Sequence, residues 1–165
     1  DLGEANTEII EEKGFEDQKE KAEEIVSKYG DKIELPSDVR VEVEEGEAKN
    51  VSLEDLPNEN PIYDIGDKTV ERFSQIINEA KTVVANGPVG VFEKPAFAKG
   101  TNGLLEAISE TGAYTVIGGG HMVASARKAG YENQIDHVST GGGSLLSFLT
   151  GDDLPVVELL KESAK

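Results

Sequence analysis

Two rhythms of apolar positions run along the chain, and they change character near residue 60. Before it, two stretches keep helical spacing, one over residues 3–13 and one over residues 17–29. In the second, Ala22, Ile25, Val26 and Tyr29 fall at i, i+3, i+4 and i+7, one face of a helix. Gly30 follows where a C-terminal glycine would stop it. Residues 38–44, Asp-Val-Arg-Val-Glu-Val-Glu, alternate apolar and polar as a strand with one wet face does. Residues 50–61 read as a loop.

From Tyr63 onward the rhythm is regular. Asp67 is a candidate N-cap for a helix with Val70, Phe73, Ile76, Ile77 and Ala80 as its apolar stripe. A short apolar run, residues 82–85, then breaks at Asn86-Gly87-Pro88. A helical stretch over 101–110 precedes a second run, 114–117, which ends in Gly118-Gly119-Gly120. A helix over 122–129 precedes a third, 136–139, which ends in Thr140-Gly141-Gly142-Gly143 before a helix over 144–149. Strand, glycine turn and helix in repetition specify parallel β-α units, so the expected fold class is α/β. Strands this short and without alternation fit a sheet covered on both faces.

In such a sheet every strand points the same way, and the loops at the carboxyl ends gather along one edge, where open α/β sheets bind ligands. Three of those loops are glycine-rich, and each is expected to open a helix. Glycine permits positive φ and lets an anion approach the backbone, while a helix N-terminus supplies N–H groups and partial positive charge. The expected site is therefore an anion pocket built without lysine. The alternative is that each glycine only turns a strand into a helix. No G-x-x-x-x-G-K-[ST] occurs, and Val123 stands where G-x-G-x-x-G needs its last glycine, which disfavours a Walker-type loop and a dinucleotide dehydrogenase.

Charge narrows the partners. The formal net charge is −17, and thirteen of the sixteen basic residues are lysine. Such a surface repels nucleic-acid backbones and anionic membranes, so neither is an expected partner. With no cysteine, disulfides and thiolate metal sites are excluded. The absence of an export signal makes a cytoplasmic protein the plain reading, and the absence of an initiator methionine suggests a gene product that starts upstream.

Three segments are more specific than any of this. Residues 86–93 (Asn-Gly-Pro-Val-Gly-Val-Phe-Glu), 118–121 (Gly-Gly-Gly-His) and 137–143 (His-Val-Ser-Thr-Gly-Gly-Gly) closely resemble signature segments of phosphoglycerate kinase, in the same order and spacing. The flanks at 64–66, 97–101 and 151–157 resemble it too. The likeness is strong from about Pro61 onward and looser before, and histidine at 121 resembles the archaeal branch.

The resemblance implies the C-terminal portion of a Rossmann-like nucleotide-binding domain, incomplete at its N-terminal side, with about four of six parallel strands. The implied reaction is reversible phosphoryl transfer between 1,3-bisphosphoglycerate and ADP, giving 3-phosphoglycerate and ATP, with Mg²⁺. The phosphoglycerate would bind to an N-terminal domain not contained in these residues, and a monomer or homodimer is expected. Asn86 and the turn from Gly87 and Pro88 to Gly90 resemble the wall near adenosine and phosphates, and Glu93 the carboxylate that meets the ribose hydroxyls. Gly118, Gly119, Gly120, His121 and Met122 match the turn at the nucleotide phosphates. Gly141, Gly142 and Gly143 resemble the backbone cradle of the phosphoryl group in flight, with Thr140 a hinge position beside it.

The sequence departs from the family where many members carry an aspartate, a magnesium-side ligand, at the position of His121, and a hydroxyl residue at that of Met122. Neutral imidazole is a poor ligand for Mg²⁺, so His121 is expected to touch a phosphate or to be a surface histidine, and the metal ligands stay unknown. His137, inside a strand, reads as structural, and Ala85 stands where a tryptophan is common. Without the basic phosphoglycerate cluster and the glycine-alanine-lysine strand of the family, the chain alone is expected to be inactive and to fold poorly. The competing reading is a non-catalytic nucleotide- or anion-binding α/β module.

Overall fold

A computed structural model describes residues 3–164. They form seven helices and six strands, α1 (Glu4–Glu12), α2 (Glu16–Tyr29), β1 (Asp38–Glu44), β2 (Glu47–Ser52), β3 (Ile62–Ile65), α3 (Asp67–Glu79), β4 (Thr82–Asn86), α4 (Lys99–Glu110), β5 (Tyr114–Gly118), α5 (Gly120–Ala129), β6 (His137–Val138), α6 (Gly143–Thr150) and α7 (Pro155–Ser163). The chain divides into two compact units, one of residues up to Ile76 with Val89–Leu104, the other of Ile77–Pro88 with the residues from Leu105 onward.

The first unit holds an antiparallel sheet in the order β2-β1-β3. The expected strand over 38–44 is β1, but it lies in this sheet and not among the parallel strands. Part of the expected loop over 50–61 is strand as well, because β2 folds back on β1 through a turn in which Gly46 takes φ 76°. Val39, Val41 and Ile65 are buried here with Phe97, whose ring meets Tyr63 edge-on with centroids 5.3 Å apart.

The start of α3 corrects the expected cap. Asp67 is the first residue of the helix, and the capping carboxylate comes from β1. Buried Asp38 accepts from the Thr69 amide at 2.8 Å, the Thr69 hydroxyl at 2.6 Å and the Lys68 amide at 3.1 Å, so a side chain distant in sequence satisfies the orphan donors of the first turn. Asp67 instead binds the Arg40 guanidinium, Asn50 and Lys99.

α2 matches the expected helix, yet none of its residues is buried, and Ile25 and Tyr29 of its apolar face stay exposed. Gly30 follows the last helical residue as expected, in a right-handed conformation at φ −49° that leads into a 3₁₀ turn.

The second unit carries the parallel sheet, ordered β4-β5-β6. Thr82 pairs with Tyr114 and Asn86 with Gly118, while Val116 pairs with His137. Leu105, Ile108, Ile117, Met122, Ala126 and Ile135 form its core, with Ile77, Val83 and Ala85 packed against them. Among the described residues the parallel strands number three, not four. Cover on both faces does not hold at β4. Val83 and Ala85 turn inward, whereas Val84 on the opposite face is 45% exposed. α7 was not expected; Pro155 opens it where a missing amide costs nothing.

Candidate nucleotide-phosphate rim and the Glu93 turn

Because β4, β5 and β6 are parallel and adjacent, their carboxyl ends share one edge of the second unit's sheet. Asn86 ends β4, Gly118 ends β5, and Ser139 continues β6 by donating its amide to Ile117 O at 2.8 Å. The turns that follow, Asn86-Gly87-Pro88, Gly118 to His121 and Thr140 to Gly143, are thus brought together along one rim.

Packing at Gly118 and backbone conformation at Gly119 both favour glycine. A Cβ on Gly118 would stand 2.5 Å from Leu145 Cδ2, and Gly119 adopts φ 83° and ψ 132°, a region closed to L side chains. The β4 and β5 turns are laced by the Gly87 amide, which donates to Gly118 O at 3.4 Å.

Two of the three turns open helices. α5 starts from Gly119 and α6 from Gly142, and neither start has a side-chain cap. The first amide bonded back into α5 is that of Val123, to Gly119 O. In α6, Ser144 and Leu145 already donate to Gly141 O and Gly142 O, and the Gly141 amide donates to Ser139 Oγ at 3.2 Å. The amides of Gly142 and Gly143 have no acceptor among the described residues. Of the expected cradle, then, two amides stand available at α6, and Gly141 is committed to Ser139.

The turn after β4 does not open a helix as expected. Residues 89–98 run through turns and a 3₁₀ turn at Pro95–Phe97, and α4 begins only at Lys99. Thr140 and His121 are exposed, and the His121 carbonyl accepts from Ser125 Oγ at 2.9 Å. Met122 is buried in the core beside Ile117 and Ala126, so its side chain faces inward and only its backbone lies at the rim. The rim segments contain no Lys, Arg, Asp or Glu, and among the described residues no group of three or more His, Asp or Glu side chains could hold a metal. Such a donor set suits phosphate oxygens and does not suit a protein-held Mg²⁺, which favours carboxylates.

Glu93 belongs to the first unit and is exposed there. It sits inside a turn closed by the Lys94 amide on Val91 O at 2.9 Å. The segment around it is tied to the antiparallel sheet. The Val91 amide donates to Tyr63 O at 2.8 Å, the Val89 amide to Thr101 Oγ1 at 3.2 Å, and the Gly100 amide to Asp64 Oδ2 at 2.7 Å. A Cβ at Gly90 or Gly100 would strike the Asp64 carboxylate, at 2.3 and 2.2 Å from Oδ1. Asp64 is buried, which pushes its carboxyl above the ordinary range against the opposing pull of the Gly100 and Ile65 amides and Arg40. Sequence reasoning did not assign Asp64 or Arg40 a role; the available signal was charge within segments otherwise bound for a core.

Residues 3–152 match the family model described as "Phosphoglycerate kinase". The chain is 43% identical over 165 residues to the phosphoglycerate kinase of Methanothermus fervidus, covering 100% of this chain and 40% of that protein. With the enzyme of Methanococcus maripaludis it shares 46% over 160 residues, covering 96% of this chain and 38% of that one. The crystal structure of phosphoglycerate kinase from Pyrococcus horikoshii superposes with a TM-score of 0.89 at 41% identity, over 98% of this chain and 40% of the other. The structure of phosphoglycerate kinase from Coxiella burnetii gives 0.77 at 34%, over 88% of this chain and 39% of the other. The chain therefore spans about 40% of the length of the relatives it matches. On the family match, the identities and the shared fold together, the chain belongs to the phosphoglycerate kinase family.

Proposed function

We propose that this chain carries the nucleotide side of a phosphoglycerate kinase, which moves a phosphoryl group between 1,3-bisphosphoglycerate and ADP to give 3-phosphoglycerate and ATP. The observation that supports it most is the parallel register of β4, β5 and β6, with two uncapped glycine starts on the shared rim. Phosphoryl transfer asks little covalent chemistry of a protein and much positioning and charge stabilisation. Backbone amides at a helix start supply both without reorganising.

In this reading the starts of α5 and α6 meet phosphate oxygens, with Gly142 and Gly143 donating to the group in transit. Asn86 to Pro88 and Gly118 to Met122 shape the rim, His121 faces a phosphate, and Thr140 serves as a hinge. The Glu93 carboxylate accepts from the ribose hydroxyls, two donors matched to an acceptor-only group. Mg²⁺ enters as part of the substrate Mg-ADP, and its charge offsets that of the phosphates. The phosphoglycerate site is left to the remainder of the protein.

Two measurements test this. Calorimetry of the gene's full-length product with Mg-ADP should show saturable binding, and a coupled kinase assay should show turnover. The 165-residue chain assayed alone should show none. Binding without turnover in the full-length product would favour a non-catalytic nucleotide module, and no heat at millimolar Mg-ADP would overturn the nucleotide reading.

A further inference from the structure

Lys94, the residue next to Glu93, makes contacts that the nucleotide reading does not use. Its Nζ donates to both carboxylate oxygens of Glu42 on β1, at 2.9 Å each. The same ammonium stands 4.2 Å from the centroid of the Tyr63 ring on β3 and 5.9 Å from that of Phe97. Its acceptors are themselves fixed. Glu42 also takes the Gly46 amide at 3.0 Å, and Tyr63 is braced edge-on by fully buried Phe97. The backbone of Lys94 then works on both sides, its amide closing the turn on Val91 O and its carbonyl accepting the Phe97 amide at 2.9 Å. One side chain thus anchors, to two strands of the antiparallel sheet, the turn that presents Glu93.

We propose that Lys94 is a positioning residue for nucleotide binding: clamped between the Glu42 carboxylate and the Tyr63 ring, it fixes the Val91–Lys94 turn and with it the direction of the Glu93 carboxylate. The proposal rests on the reading of Glu93 as the ribose acceptor.

Energetics favour a role in binding over one in stability. Lys94 and Glu42 side chains are 42% and 14% exposed, and a single ion pair still open to solvent on one side adds little to global stability. A binding group that must be ordered afresh each time its ligand arrives, however, loses affinity by about two- to tenfold. Glu42 holds the Lys94 ammonium charged and Lys94 holds the Glu42 carboxyl below its usual range, so the pair is ionised across neutral pH.

The test uses the full-length gene product, with Mg-ADP affinity by calorimetry, KM and kcat for Mg-ATP in the coupled assay, and thermal unfolding. Lys94→Met should weaken Mg-ADP binding about two- to tenfold. It should raise KM in proportion, leave kcat within about twofold, and leave the unfolding midpoint in place. The charge-exchanged pair, Glu42→Lys with Lys94→Glu, should recover most of the lost affinity. If Lys94 touched the nucleotide directly, that exchange would place a carboxylate against phosphate and deepen the loss, which would overturn the proposal. Normal Mg-ADP binding by Lys94→Met would overturn it too. Glu93→Ala run alongside separates the two ideas: weakened binding there with normal binding by Lys94→Met sinks only the positioning role, whereas normal binding by both variants removes the ribose role as well.

Discussion

At Asp136, one residue before β6, a carboxylate reaches across to the neighbouring strand. Its Oδ2 accepts from the Thr115 amide at 2.8 Å and from the Thr115 hydroxyl at 3.0 Å, while its own amide donates back to that hydroxyl at 3.1 Å. Those donors favour the ionised form, the Thr115 amide most, and hold the carboxyl below its usual range. A depressed folded-state pKa contributes stability that is present above the unfolded value, about 4, and is lost as pH falls through the folded one. Asp136→Asn should therefore unfold at a lower temperature than the parent protein at pH 7, and the gap should close as pH drops below about 4. A gap constant from pH 7 to pH 3 would mean that Thr115 does not read the charge. Gly118 tests the rim in the same way. A methyl group added there would lie 2.5 Å from Leu145 Cδ2, so Gly118→Ala forces the half-buried Leu145 side chain of α6 to give way at the β5 turn. Overpacking of this kind costs about 1–3 kcal/mol. It should lower the denaturation midpoint and weaken Mg-ADP binding together, whereas Gly112→Ala, where a Cβ meets nothing within 4 Å, should do neither.

At the scale of the element, legibility in the sequence followed how each segment solves its local problem. β4, β5 and α3 to α5 were visible because apolar period and glycine punctuation agreed, and the shared rim was visible because three glycine turns follow three runs that repeat as parallel β-α units. β2 was invisible: Glu47, Ala48, Lys49 and Asn50 carry no strand period, and the segment is a strand because β1 offers it a partner. The stretch from Val89 to Ala98 reads locally as a direct turn into helix, whereas short local turns and the tertiary ties of Val91 to Tyr63 and Val89 to Thr101 set its course. The N-cap of α3 escaped for the same reason. A neighbouring acid, Asp67, fitted the local rule, but buried Asp38 took the position from another strand. That substitution of roles is measurable. Asp38→Ala strands the buried Thr69 amide and removes an acceptor of the Lys68 amide, and should cost about 1–3 kcal/mol in urea denaturation. Asp67→Ala removes a half-exposed partner and should cost less. Equal losses would mean that Asp38 does not hold the helix start.

At the scale of the whole molecule two opposed forces decide how these 165 residues behave by themselves. Apolar surface is left uncovered on several elements: Val84 on β4, Ile25 and Tyr29 on α2, Phe148 on α6, and Leu159 and Leu160 on α7. Among the described residues β4 also has no strand on its outer side, so its backbone donors and acceptors are an open template for pairing. Both features favour self-association. Against them stands the net charge of −17, which keeps copies apart for as long as it is unscreened. Screening shortens the reach of that repulsion from about 30 Å at 0.01 M salt to about 3 Å at 1 M, while apolar attraction does not weaken. The isolated chain should accordingly sediment as a monomer in dilute buffer, bind a hydrophobic dye, and associate progressively as sodium chloride is raised. The full-length gene product, in which the rest of a relative's length beyond the 40% matched here is available to cover these faces, should stay of constant mass over the same range. If the isolated chain remains monomeric and dye-free at about 1 M salt, the exposed faces are not sticky, and a lack of turnover by the chain alone would have to be traced to chemistry and not to an unfinished core.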